Sequence, residues 1–529
     1  MTTQPPQADR ERLAKAESLM AAGAYEPAHA LCMAVLSADP EAAGAWFLLG
    51  VLAADHDNPG KAAELFGRAA ALDLADARAS AHLARCLMIL NRRDEALAHA
   101  QAAEARQPGD ADTFYTLGQV FSRAGQPDRA IGFFEAAVAR APAQASYACH
   151  LADARQVSGD LAGAEAAYAQ ALALDRALYQ AWSARVQLRP QTLDANFLAE
   201  LEAQFAVAGA DGRLHLGHAL AKTHEDLGNP AIALDWLFKA KAAKGRQVGY
   251  DPGADAALFA AAQATCPDRL ARPGGGLSDR PIFLVGLPGT GLALVDRILS
   301  SHPEVTSVGG RTDFGQILQR MTGSPEAFGL DETTLEAASQ MDLRKAGGAY
   351  LQSLGARVPG QGHFVDRAPL NVFYAGLICR ALPDARIICL RRHPMDACLA
   401  SFRRLFPAGS VHFDYAYDLA HTGVYFAGFD RLITHWRNVL PADRFCELAY
   451  EDLVAEPEGE TRRLLDFCGL NVVTPGLALG ETAAPGGRTV SVPPYVPVHT
   501  GAVGRWRLYG SGLAPLRAAL TANGVAVRD

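Results

Sequence analysis

From residue 9 to residue 176 the apolar positions repeat every 34 residues, in units that begin at 9, 43, 77, 111 and 145. In the unit from 111, Phe114, Leu117, Gly118 and Phe121 follow three- and four-residue steps and share one face of a first helix. Ala124-Gly125-Gln126-Pro127 forms the turn. Ala130, Phe134 and Ala137 line a second helix, which Pro142 ends. The unit from 43 repeats this with Trp46, Leu49, Gly50, Ala62, Phe66 and Ala69. The units from 77 and 145 keep mainly the small residues: Ala84, Ala96, Ala103 and Pro108, then Ala152, Ala164, Tyr168 and Ala171. Small residues at fixed positions let two helices approach closely, and large ones fill the groove of the next unit. The pattern predicts an all-α solenoid over 9–245. Its weaker continuation includes a helix start at 180–188 and a last helix pair at 216–245, turned by Leu227-Gly228-Asn229-Pro230.

The period changes after residue 280. A helical linker with a hinge-like Pro273 and three glycines is expected over 246–279, and an α/β domain over 280–529. Residues 281–286 (PIFLVG) form a short apolar run ending in glycine, as a buried parallel strand does. Residues 363–369, 385–392 and the start of 444–454 are strand-like in the same way. Amphipathic stretches at 292–303, 371–383, 394–406, 413–441 and 459–470 read as helices. Strands alternating with helices predict a parallel sheet covered on both faces, with ligands beyond the carboxyl ends of the strands. The five-unit array resembles the tetratricopeptide repeat, whose curved solenoids present a concave face to peptides. That resemblance implies a protein partner for the array, or a scaffolding or dimerisation role.

Composition removes several function classes. With 49 basic and 57 acidic residues the net charge is −8, so a broad nucleic-acid footprint is not expected. The amino terminus is polar and charged, unlike a secretory leader, and no apolar run reaches the length of a membrane helix. Nine scattered cysteines without a Cys-x-x-Cys pair read as small buried thiols and point to a reducing cytoplasm. The histidines show no metal-ligand spacing.

The chemistry concentrates in the second half. The segment 280–305 reads strand, glycine turn, helix, a common phosphate cradle, but its turn Gly286–Gly291 has no Lys or Arg. It also lacks the Gly-Lys-Ser/Thr of a P-loop NTPase. Four ordered blocks, at 281–305, 365–402, 435–470 and 503–516, resemble the sulfotransferase domain of bacterial tetratricopeptide-repeat sulfotransferases. The resemblance implies a metal-free enzyme that moves a sulfuryl group from 3′-phosphoadenosine-5′-phosphosulfate (PAPS) to a hydroxyl or amine. It leaves 3′-phosphoadenosine-5′-phosphate (PAP) as product. On that basis Gly289, Thr290, Gly291 and Leu292 are expected at the 5′-phosphosulfate. Arg391, Arg392, Ser401, Gly504, Arg505 and Trp506 are expected at the 3′-phosphate side, and Arg311 and Arg367 at the reacting centre.

The sequence departs from the family pattern at several of these positions. The family loop reads Pro-Arg-Ser-Gly-Thr-Thr/Ser; here it is Pro288, Gly289, Thr290, Gly291, Leu292, Ala293, so a cation and two hydroxyls are missing. Arg311 stands where relatives carry a glutamate base, and Arg367 where they carry lysine. Ala400 replaces a serine, with Ser401 about 100° further round the helix. The segment 491–501 lacks the arginine that relatives place there. Arg311 is the expected replacement for the lost loop cation. These losses leave three readings: a divergent PAPS-dependent sulfotransferase, an inactive relative that binds and regulates, or a repeat-based interaction scaffold. The acceptor, whether peptide, glycan or small molecule, carries no sequence mark.

Overall fold

The computed structural model of the chain describes residues 7–270, 277–324, 330–355, 358, 362–407, 409–471 and 500–528. It forms two compact units, Met1–Leu188 and Arg189–Asp529. The hinge-like residues 273–276 and the arginine-free stretch 491–499 lie outside the described residues.

The first unit holds five helix pairs, of which Ala43–Asp55 with Pro59–Leu72 and Ala111–Arg123 with Pro127–Arg140 are representative. The first helices of the last four pairs begin at Ala43, Ala77, Ala111 and Ala145, so the 34-residue sequence period is also the period of the helix pairs. Two local devices repeat with it. The turn between paired helices needs one left-handed residue, and Gly23, Asp57, Asn91, Gly125 and Gly159, spaced by 34, all have positive φ. Asp and Asn stand in for glycine because their short polar side chains tolerate that conformation best. The second device is a socket. A Cβ on Gly118 would come within 2.5 Å of the Phe134 ring, and one on Gly50 within 2.7 Å of Phe66. A mid-helix glycine costs about 1 kcal/mol of helix propensity. Here it lets a fully buried aromatic ring lie directly on the backbone of the partner helix.

The second unit is built on a five-stranded parallel sheet of order β2-β3-β1-β4-β5, with β1 Pro281–Gly286, β2 Val305–Gly309, β3 His363–Asp366, β4 Arg386–Arg391 and β5 Phe445–Ala449. Alternation along β1 sorts the two faces. Phe283 and Val285 join Phe364, Ile387 and Cys389 under the helices Pro252–Ala264, Leu343–Leu354 and Leu419–Val439. Ile282 and Leu284 join Val365, Ile388 and Leu448 under Leu292–Ser300 and Pro457–Phe467. Both faces are therefore dry, as a parallel sheet requires. The strand β2 has no counterpart in the sequence reading. It is a short edge strand whose Thr306, Ser307 and Val308 are only half-buried, so its apolar signal is weak.

The helix pair Ala210–Asp226 and Pro230–Val248 falls within this second unit. Lys241 on its second helix is buried, and its Nζ donates to the carbonyls of Ala416 at 2.9 Å and Arg404 at 3.3 Å. Burial pulls its ammonium down from 10.5 to about 7. Between those values the unfolded chain holds a proton that the folded chain does not, so stability rises with pH from about 7 toward 10. Urea unfolding at about pH 7 and pH 9 should show a gain on the order of 1 kcal/mol in the parent protein that is absent from Lys241→Met. An equal pH response in both proteins would contradict this assignment.

All nine cysteines are free thiols; eight are buried and Cys446 is half-buried. Burial raises every one of their pKa values, Cys32 to about 11 and Cys149, Cys379, Cys446 and Cys468 to about 12. No described helix is long and apolar enough to cross a membrane, and no metal-ligand cluster occurs among the described residues.

Candidate functional site

The connection from β1 leads toward β2 on one flank of the sheet, whereas β3 is followed by β4 on the other side of β1. The crevice between the carboxyl ends of β1 and β4 is therefore the point where the chain changes direction, the usual ligand position in open α/β sheets. Gly286, at the end of β1, pairs with Leu390, next to Arg391 and Arg392. Register alone thus brings the glycine turn against the basic pair.

The turn is tightly enclosed. Gly289 has φ +89° and a Cβ there would lie 2.8 Å from Ala400 Cβ; Gly291 has φ +111° and a Cβ there would lie 2.8 Å from the Tyr450 ring. Thr290 is buried, and its hydroxyl donates to the Leu287 carbonyl at 2.7 Å. The amides of Gly289, Gly291, Leu292 and Ala293 have no acceptor among the described residues. The last two open the helix Leu292–Ser300, where free N–H groups and the helix dipole favour negative charge.

Of the five arginines singled out by sequence, the four at strand ends behave differently from one another. Arg311 pairs with Asp313, and its backbone N–H donates to Asp366 at 3.3 Å. Arg367 Nε lies 2.9 Å from Asp296, which also accepts from Ser307 at 2.8 Å. Arg391 pairs with Asp430 and approaches Glu447 at 3.6 Å. Arg392 alone of the four has no carboxylate partner among the described residues. It donates to the Gly289 carbonyl at 2.9 Å and to the Ala502 carbonyl at 2.5 Å, and it lies 4.8 Å from the centre of the Tyr450 ring. The carboxylates themselves are perturbed. Asp366 is fully buried and accepts from Tyr350 Oη at 2.8 Å, yet burial still raises it to about 6. Burial also raises Asp296.

The segment after residue 500 closes over the β4–helix turn. Asp396, in the first turn of the helix Pro394–Phe402, accepts from Gly504 N at 2.6 Å and Trp506 N at 2.9 Å. The His393 ring stacks on Trp506 at 5.6 Å and 5°. Arg505 pairs with Glu225 at 3.0 Å. Ser401 is buried, with its hydroxyl 3.2 Å from Tyr415 Oη, so the helix face toward the turn carries Ala400 instead. The structure thus gathers Gly289, Thr290, Gly291, Leu292, Arg392, Gly504 and Trp506 in one neighbourhood. Arg391, Arg311 and Arg367 are neutralised at the strand ends, and Ser401 points away.

Around the glycine turn and the segment that closes over it, Arg392 Nε, Arg505 Nε and Trp506 Nε1 are buried donors without an acceptor among the described residues; Arg391 Nη1 and Arg311 Nε, on guanidinium groups that do face a carboxylate, are unsatisfied as well. A buried N–H without an acceptor is costly, and three on two joined segments suit an oxygen-rich anion. Asp396 and Glu225 were not anticipated. Asp396 reads in sequence as an ordinary acidic residue of a helix's first turn, and Glu225 lies in what reads as a repeat helix, so neither carries a local signal.

Residues 281–475 match the model of the Sulfotransferase family. A curated protein of Aquifex aeolicus (strain VF5), named only as an uncharacterized protein, is 29% identical over 245 residues, which is 45% of this chain and 32% of that protein. The chain therefore spans about a third of the length of that relative. Among solved structures, a thermophilic TPR protein of Thermus thermophilus is 21% identical, with a TM-score of 0.30, over 34% of this chain and 98% of its own. The type IV pilus biogenesis factor PilW is also 21% identical, with a TM-score of 0.31, over 45% and 94%.

Proposed function

We propose that this chain, a helical repeat array followed by a sulfotransferase-family domain, binds PAPS and transfers its sulfuryl group to a hydroxyl or amine acceptor. The observation that carries the reading is the set of acceptor-less donors at Arg392, Arg505 and Trp506, beside the free amides at the start of the helix Leu292–Ser300. Two donor groups suit a nucleotide with phosphates at both ends of its ribose. In this reading the amides of Gly289, Gly291, Leu292 and Ala293 face the 5′-phosphosulfate, and Arg392, Arg505 and Trp506 face the 3′-phosphate.

Sulfuryl transfer asks little covalent chemistry of the protein. The acceptor lone pair attacks sulfur as the bond from sulfur to the 5′-phosphate oxygen breaks, and the acceptor's proton passes to water. The electron pair of that bond stays on the leaving phosphate, whose growing charge needs donors in place. Helix-start amides supply such donors without a loop cation. Arg311 and Arg367 are held at the neighbouring strand ends by Asp313 and Asp296, where they lend a net field smaller than their formal charge.

A second reading, an inactive module that binds the nucleotide, is favoured by a specific feature. The Thr290 hydroxyl is spent on the Leu287 carbonyl and three of the four arginines are neutralised, so few groups remain to act on the transition state alone. Calorimetry with PAP tests both readings, and release of PAP from PAPS over a panel of hydroxyl and amine acceptors separates them. Binding with turnover supports the enzyme, binding without turnover supports the module, and absence of binding removes both. The concave face of the repeat array is proposed as the site of a protein partner.

A further inference from the structure

Glu225 is the penultimate residue of the helix Ala210–Asp226, outside the segment matched by the family model. Its side chain is only 7% exposed, and it collects three donors. Arg403 meets it with both prongs of the guanidinium, Nε at 2.6 Å and Nη2 closer still. Arg505 Nη2 donates at 3.0 Å, and the Tyr509 hydroxyl at 2.5 Å. One carboxylate thus fastens the end of the helix Pro394–Phe402 to the turn Arg505–Leu513.

Two features make this more than a structural ion pair. Glu225 brings one negative charge to two guanidinium groups, so the cluster keeps an excess positive charge. Arg505 also spends a single nitrogen on it, while its buried Nε has no acceptor among the described residues. The same turn is pinned from its other side by Asp396, through Gly504 N and Trp506 N. Arg505 is therefore held by one edge with the rest of its fork unspent, a few residues from Ala502, whose carbonyl takes Arg392.

We infer that Glu225 is a positioning residue for the phosphate monoester side of the site: it fixes the orientation in which Arg505 meets the 3′-phosphate of the nucleotide. The inference rests on the nucleotide reading above. Specificity for the 3′-phosphorylated nucleotide then depends on a helix outside the segment that matches the sulfotransferase-family model.

The test is calorimetry on the full chain with PAP and with adenosine 5′-phosphate, which lacks the 3′-phosphate. Glu225→Gln keeps the volume but turns an amide NH₂ toward guanidinium donors, so Arg505 is displaced. PAP binding should weaken about tenfold and adenosine 5′-phosphate binding less than about twofold. Arg505→Ala should give the same pattern, and the double variant should be no weaker than the weaker single one. Tyr509→Phe, which removes one hydroxyl from the same carboxylate, should reduce PAP binding about threefold and guards against loss of folding in Glu225→Gln. Equal weakening of both nucleotides, unchanged preference, or additive losses in the double variant would overturn the inference while the nucleotide reading stands. If the parent protein binds neither nucleotide, the nucleotide reading fails and the inference fails with it.

Discussion

Arg392→Ala is expected to weaken PAP binding about a hundredfold, the largest loss from any single arginine at the site. The expectation follows from where its charge goes. Arg311, Arg367 and Arg391 each face a carboxylate at their own strand end. Among the described residues, Arg392 faces the Gly289 and Ala502 carbonyls and the Tyr450 ring, and its Nε has no acceptor. Among the four arginines at the strand ends, its charge is the one left for a ligand. The same side chain also joins the glycine turn to the segment that closes over it, so truncation removes a donor and unfastens two walls. Arg391→Ala is the internal comparison. Because Asp430 and Glu447 already neutralise that guanidinium, its loss should cost no more than about threefold. Calorimetry on both variants decides it; equal losses, or an unaffected Arg392→Ala, would refute the assignment.

Restoring the family arginine to the loop should harm the protein rather than improve it. Gly289→Arg places a side chain on a backbone with φ +89°, where residues other than glycine are strained by about 1–2 kcal/mol. Its Cβ would also sit 2.8 Å from Ala400 Cβ, and overpacking of that kind costs about 1–3 kcal/mol. The expected sum is about 3 kcal/mol of lost stability in urea unfolding, with no gain in PAP affinity. A variant as stable as the parent that bound PAP more tightly would show that the turn adopts another conformation. The missing cation and the closely packed Ala400 belong together: a turn pressed this hard against the helix has no room for a longer residue.

Much of the fold could be read from periodicity. The five 34-residue units, the strands β1, β3, β4 and β5 and most of the long helices follow from spacing and apolar runs, because each signal is local and recurs. The edge strand β2 was missed since Thr306 and Ser307 give it little apolar contrast. The site was legible only as positions. Motif spacing located Arg391, Arg392 and Arg505, and helix geometry indicated that Ser401 would not face where Ala400 faces. What the arginines do depends on their partners, and those are remote: Asp296 lies far along the chain from Arg367, and Glu225 is 280 residues from Arg505. A carboxylate that neutralises a cation across such a distance leaves no mark on the residues around that cation.

The buried thiols have a practical consequence for following the segment that closes over the turn. Thiolate is the form that reacts with maleimides; burial raises the pKa of all nine native cysteines, and eight of them are also shielded, Cys446 being half-buried. A single cysteine introduced at the exposed Leu508 or Val503 would be labelled selectively in the otherwise native chain. A fluorophore there would report, in real time and without prior removal of any native cysteine, whether a bound nucleotide changes the motion of that segment.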